Sequence, residues 1–306
     1  MNGLATRTTA ILIATTFAGL CALSGCVSVG DPRYEERLSI TERHRSGGIA
    51  VETDNGSVRI QRGGQDRVEI TAVVRAQTAS RAERVGISTR RDRDGYLHIE
   101  ALWPEGRRLE RESCAFDIVV PDAEGVRVRS SNGAVKIDGL SGLADIQTSN
   151  GPISVLDHDG PLDADTSNGA VQFETYGSPA KVRTTNGRVE LTSVGAPLEI
   201  DTSNGSVVVR LDRDARGPVE IESSSGSILF EVGEAFGGSV EARTDNGRIT
   251  VERLGRRPDL LMQSKRHVLI QLDEGRDESS LRTGNGSIRI RTADGRMTSE
   301  RDHRSR

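Results

Sequence analysis

One pattern recurs along most of this chain: a run of alternating apolar and polar residues, a turn ending in glycine, and a second alternating run. The turn reads Asp54-Asn55-Gly56, Ser131-Asn132-Gly133, Ser149-Asn150-Gly151, Ser167-Asn168-Gly169 and Thr185-Asn186-Gly187. It continues as Ser203-Asn204-Gly205, Ser224-Ser225-Gly226, Asp245-Asn246-Gly247 and Gly284-Asn285-Gly286. From Gly133 to Gly205 the spacing is 18 residues each time, and then 21, 21 and 39. Two residues after the glycine stand Val58, Val135, Ile153, Val171, Val189, Val207, Ile228, Ile249 and Ile288. Five before it stand Val51, Val128, Ile146, Ala164, Val182, Ile200, Ile221, Ala242 and Leu281, and three before it always a Ser or Thr. Period-two alternation rich in β-branched residues on both sides of a turn predicts short strands with one buried face. The 39-residue gap leaves room for one degenerate copy, which Leu261, Gln263, Val268 and Ile270 fit, with Arg266 where the glycine would stand. Arginine resists positive φ, so that turn is expected to take another shape.

Asn-Gly is the strongest short signal for a hairpin, so a meander of antiparallel hairpins is one architecture for this pattern. Such a meander would leave its apolar face uncovered unless it curled into a barrel or sandwich. A β-solenoid closes each coil on itself and stacks equivalent positions about 4.8 Å apart, so each residue packs against its own copy. That explains why the same residue types recur at the same place, and it is the predicted fold: an all-β, single-chain solenoid of 18–21 residues per coil. The opposite face is charged. Four residues before the glycine the column runs Arg129, Gln147, Asp165, Arg183, Asp201, Glu222 and Arg243, so stacking makes Asp165, Arg183 and Asp201 neighbours of alternating sign.

The expected organisation has residues 1–25 as a signal, 26–48 as a polar tether without strand alternation, 49–292 as the solenoid and 293–306 as a disordered tail. Within the solenoid, 67–120 lacks the turn motif and reads as antiparallel strands (Val68 to Val74, Arg84 to Thr89, Tyr96 to Leu102, Ala115 to Val120) elaborating its N-terminal end. Composition agrees with thin coils. The 306 residues include 34 glycines but only five Phe, three Tyr and one Trp, too few large side chains for a thick core around a deep catalytic pocket. The 41 basic against 45 acidic residues give a net charge of −4, which argues against nucleic acid as a partner.

Arg7 is the only charged residue before Cys26, and Thr8 to Leu23 is mostly apolar. Leu23-Ser24-Gly25-Cys26 then resembles the lipobox of bacterial lipoprotein signal peptides, which implies cleavage before Cys26 and its acylation, with palmitate among the acyl chains. Val27 follows, with no Asp there to signal inner-membrane retention, and the resemblance implies outer-membrane sorting. Cys21 would leave with the signal, so Cys114 would remain alone, unable to form an intramolecular disulfide and expected to be a buried, inert thiol.

The Ser/Thr-Asn-Gly-x-Val/Ile units from Ser131 to Val251, entered through Phe116-Asp-Ile-Val-Val-Pro121 and Val126-Arg-Val-Arg-Ser-Ser-Asn-Gly133, resemble the bacterial "putative adhesin" domain of unknown function. The resemblance covers 48–292 and implies a repetitive β-helical envelope protein. It carries over no catalytic residue.

The chain has no His-Glu-x-x-His, no Gly-x-Ser-x-Gly and no phosphate loop. Asp157-His158-Asp159 with Asp163 and Asp165 is its best metal-like cluster, read more simply as a polar turn with outward strand residues. His44, His98, His267 and His303 have no ligand spacing, and Trp103, Tyr96 and Phe116 are the candidates for a sugar-stacking patch, read more simply as closing the N-terminal end of the solenoid. No catalytic residue, metal site or cofactor is expected, and Cys26 is the one modification site. The expected function is a lipid-anchored, non-enzymatic envelope protein presenting a repetitive surface to a protein or polysaccharide. The alternatives are a carbohydrate-active enzyme on a β-helix and a periplasmic structural or stress-associated scaffold.

Overall fold

A computed structural model of the protein describes residues 34–292, apart from 65, 253, 255–258 and 273–274. The expected signal (1–25), the lipid site Cys26, the tether as far as 33 and the tail (293–306) lie outside the described residues. The described residues fall into two units, one ending at Gly142 and one beginning at Leu143.

The first unit runs β1 (Tyr34–Arg43), β2 (Ile49–Asn55), β3 (Val58–Arg62), β4 (Arg67–Ala76), a short helix α1 (Ala79–Glu83), β5 (Gly86–Arg91), β6 (Leu97–Leu102), β7 (Ser113–Val120), β8 (Gly125–Asn132) and β9 (Val135–Asp138). Its strands form two sheets, ordered β1-β4-β7-β3-β9 and β8-β2-β6-β5. β2 pairs in parallel with both β6 and β8, and β3 with both β7 and β9, so these six strands make three stacked coils. Antiparallel strands extend both sheets: β4 beside β7, β1 beside β4, and β5 beside β6. Val51, Ile99 and Val128 on one sheet and Ile60, Ile118 and Ile137 on the other are buried.

Two expectations change here. Residues 34–43 of the expected tether are a strand, paired over ten positions with β4. Only Leu38 of that strand is buried, so it has no apolar face to give the alternation away; main-chain hydrogen bonds hold it. The stretch 67–120 is antiparallel only in part. β6 and β7 form a true coil, with Ile99 beside Val51 and Phe116 beside Val58. It escapes the pattern because Cys114 occupies the glycine position and a long connection separates its two strands.

The second unit runs β10 (Leu143–Thr148), β11 (Ile153–His158), β12 (Leu162–Thr166), β13 (Val171–Thr175), β14 (Ala180–Thr184), β15 (Val189–Val194), β16 (Leu198–Thr202) and β17 (Val207–Leu211). It continues with β18 (Val219–Ser225), β19 (Ile228–Val232), β20 (Gly238–Asn246), β21 (Ile249–Glu252), β22 (Asp259–Gln263), β23 (His267–Leu272), β24 (Glu278–Asn285) and β25 (Ile288–Thr292). One sheet has the order β11-β13-β15-β17-β19-β25-β21, all parallel. The other is β22-β23-β20-β24-β18-β16-β14-β12-β10, parallel except for β22 and β23. The strands pair in parallel rather than as hairpins, so the predicted β-solenoid is the fold. The degenerate copy is corrected: β22 and β23 are an antiparallel hairpin at the sheet edge, turning at Ser264, whose Oγ accepts the amide of His267 at 3.0 Å. Coil order is also not chain order, since β24 and β25 lie between the β18–β19 coil and the β20–β21 coil.

Stacking sets the requirement at each turn. The expected role of the glycine was a left-handed backbone, but Gly169, Gly187, Gly205 and Gly226 have no such φ. A Cβ on Gly187 would instead sit 1.9 Å from the carbonyl oxygen of Gly169, and one on Gly205 1.9 Å from that of Gly187. The adjacent coil's backbone occupies the space a side chain would need. Buried Thr184 donates its hydroxyl to the same Gly169 oxygen at 3.3 Å. Outside, Asn168 Nδ2 donates to Asn150 at 2.8 Å, Asn186 to Asn168 at 2.8 Å and Asn204 to Asn186 at 2.9 Å, a ladder one coil per rung. Phe173 and Phe230 fill the interior without exposure, Phe230 edge-on to Phe236 at 5.6 Å.

Candidate functional site

In the second unit, alternation turns every other side chain of a strand outward, and parallel register lines these up across coils. Asp165, Arg183 and Asp201 are direct neighbours, as the repeat predicted, and beside them runs a column of Asp163, Lys181, Glu199 and Glu220. Lys181 Nζ lies 2.5 Å from Glu199 Oε2, and Arg183 Nη2 lies 3.5 Å from Glu199 Oε1. All three side chains are at least a third exposed, so each pair contributes little stability. The column departs from expectation after Glu222, whose neighbour is Arg282 and not Arg243. Arg243, one strand further out, folds onto Glu241 with Nε at 2.9 Å.

The other sheet carries a tighter array that the repeat count did not single out. Arg210 reaches Glu190 at 3.0 Å and Glu231 at 3.2 Å, and Arg291 donates to Glu231 from Nε at 2.9 Å. Glu231 is only 4% exposed, and these two guanidinium groups are the partners that compensate its removal from water. Its sequence signal is an acid between arginines one coil before and after, legible only when the coil order is known.

The candidate chemistry disperses. Cys114 is buried, and burial alone pushes its thiol up to about 12, so it stays protonated and inert at neutral pH. Of the metal-like cluster, His158 points into the core with its ring 6.3 Å from that of Phe173, whereas Asp157 meets the Tyr176 hydroxyl at 3.2 Å on the surface. Asp163 and Asp165 belong to β12 on the other sheet, and no group of three metal-ligating side chains occurs among the described residues. His98 is bonded to Asp92 at 2.7 Å and His267 to Glu241 at 2.9 Å, while His44 lies between β1 and β2. His303 lies outside the described residues. The three aromatic candidates form no patch: Phe116 is in the core, Tyr96 stacks under Arg127 at 4.1 Å before β6, and Trp103 follows the far end of β6.

Sequence reasoning missed one buried ion pair in the first unit. Glu112, with no exposed surface, accepts Arg81 Nε at 2.8 Å and Nη2 at 2.9 Å, together with the Leu109 amide at 2.9 Å. Burial works against its charge, but the Arg81 hydrogen bonds and backbone amides outweigh it and hold the carboxyl below its ordinary range. The pair ties α1 to the connection before β7, a structural role.

Comparison with known proteins follows the fold. The family model Toastrack DUF4097 matches residues 47–291. No curated protein matches the chain. Among solved structures, a Bacteroides fragilis protein described as a "putative adhesin" is 11% identical, with a TM-score of 0.49 over 83% of this chain and 96% of that one. A Clostridium sporogenes "putative cell adhesion protein" is 13% identical, with a TM-score of 0.24 over 84% of this chain and 100% of that one. At these scores neither likeness carries an argument about what the chain does.

Proposed function

This chain belongs to the Toastrack DUF4097 family, and from that premise we propose that it is a lipid-anchored, non-enzymatic envelope protein whose coils display evenly repeated side chains to a polymer or protein partner. The observation that carries the reading is the register of the outward columns. Asp163, Lys181 and Glu199, and beside them Asp165, Arg183 and Asp201, recur one strand spacing apart on a backbone that cannot rearrange without breaking its ladders. A partner with its own repeat meets evenly spaced contacts of alternating sign, acid, base and acid, and weak contacts add up through effective concentration. Leu23-Ser24-Gly25-Cys26 supplies the anchor in this reading, and Val27 directs it to the outer membrane.

The test combines cell fractionation with binding. Wild-type protein partitions with outer membranes and Cys26→Ser does not; equal partitioning would sink the anchor. A panel of envelope proteins and glycans returns at least one salt-sensitive binder. Turnover of a glycan by purified protein, lost when outward carboxylates are changed, would replace display with catalysis.

A further inference from the structure

On the outer face of the sheet containing β15, β17, β19, β25 and β21 lies an open groove of about 570 Å³. Its position follows from the register. The residues just before these strands form one row, Arg188, Ser206, Ser227, Ser287 and Arg248, whose carbonyls accept hydrogen bonds in sequence along the stack. The next outward row holds Glu190, which flanks the groove, and then Val208, Leu229, Arg289 and Thr250. Cation at one end, three hydroxyls one rung apart, and two cations at the other: the arginines Arg188 and Arg248 are four strand spacings apart, or ~19 Å. Val208, at an outward position yet only 8% exposed, and half-buried Leu229 make an apolar floor between them.

We propose that this groove binds a segment of an acidic polysaccharide, a chain of sugar rings bearing carboxylates; the proposal rests on the display reading and gives it a place and a ligand class. Charge selects the anion. Three arginines and no carboxylate line the groove among the described residues. Arg188 pairs at 3.2 Å with half-buried Glu190, which Arg210 also holds, and Arg289 pairs with exposed Glu252 at 3.6 Å; both guanidinium groups are themselves more than half exposed and can exchange these partners for another carboxylate. Exposed Arg248 has no carboxylate within salt-bridge distance among the described residues, so its planar fork is open to a ligand. The serine row matches a chain of ring hydroxyls, and the Val208–Leu229 floor matches the C–H face of a sugar ring. Among the described residues the lining contains no aromatic side chain and offers bases no stacking platform. The grooves of the opposite sheet differ in kind: the one beside Pro161, Pro179 and Pro197 mixes Lys181 with Asp163 and Glu199.

The experiment is calorimetric titration of the full chain, held in non-ionic detergent, with tetragalacturonate and with its uncharged methyl ester. The acid is expected to bind, the ester about tenfold or more weaker, and Arg248→Gln to weaken the acid by about tenfold without changing the circular dichroism. Arg188→Gln, at the other end, is expected to act in the same direction. Equal binding of acid and ester overturns the proposal, as does wild-type affinity in both arginine variants. Charge-dependent binding that survives Arg248→Gln but is lost in Lys181→Gln puts the ligand on the opposite sheet; it overturns the groove and leaves the display reading standing. Competition by inorganic phosphate together with binding to anionic phospholipid vesicles, but not to tetragalacturonate, also overturns it. Failure to bind any glycan or envelope protein in the panel removes both readings.

Discussion

The two units build the same coil by different means. From Leu143 onward the coils repeat one solution: glycine where the next backbone presses in, threonine or serine inside, asparagine outside except at Ser225, and a mostly apolar inward pair on each strand. Before Gly142 the β6–β7 coil departs from it. Cys114 takes the glycine's place and stands beside Val74 of the antiparallel β4, where a side chain is accommodated. A buried ion pair, Arg81 with Glu112, then fastens the connection that the repeat would otherwise keep short. Stacking coil on coil removes the choice of residue, whereas an antiparallel neighbour restores it at the cost of dedicated contacts.

The sharpest way to break this contrast is to place one methyl group in each setting. Gly187→Ala drives a Cβ to 1.9 Å from a backbone oxygen and is expected to cost about 3 kcal/mol or more, whereas Cys114→Ala costs about 1 kcal/mol. Urea unfolding of both variants decides it, and equal losses would mean that close approach is not what selects glycine.

Next in size is the ion pair of the first unit. Glu112→Gln is expected to lower the melting temperature by roughly 6–12 °C at neutral pH. The Glu112 pKa is lowered in the folded state, so its contribution is complete above the ordinary carboxylate range and is lost as pH falls through the folded value. The acid limb of stability against pH should therefore be steeper in the wild type than in the variant. Parallel limbs would show that the pair is not the acid-sensitive fastening.

The smallest effect sharpens the picture of the repeat itself. Asn186 takes part in two rungs of its ladder and Asn204 in one. Asn186→Ala should cost about 1 kcal/mol and Asn204→Ala about half that in the same urea assay. A reversed order would detach the ladder from stability and leave it to solubility.

What could be read from the sequence follows from the same physics. Strand parity, the inward Thr184 and Val189 columns and the Asp165, Arg183, Asp201 face were legible because each coil repeats its neighbour's demands. The order of the coils was not. Arg282, Thr283, Asn285 and Ile288 offer Glu222's strand and its partner the same contacts that Arg243, Thr244, Asn246 and Ile249 would, so composition cannot distinguish which coil docks first. β1 was hidden for the opposite reason, having main-chain partners but almost no buried side chain. Arg81 and Glu112 lie 31 residues apart in sequence, and only the folded connection brings them together. The groove combined both difficulties: its serine row was visible as turn residues, but Arg248 and Arg289 meet only because the last coil is interleaved.

That interleaving reaches into how the protein is made. A solenoid whose coils followed the chain could settle one layer at a time as it left the ribosome. Here the layer formed by β20 and β21 is finished before the residues that lie beneath it have emerged. It must wait in the open, or close prematurely on β18 and β19 and be displaced. Completion of the stack is thereby tied to delivery of residues 278–292, whose strands are the parallel partners of β20 and β21.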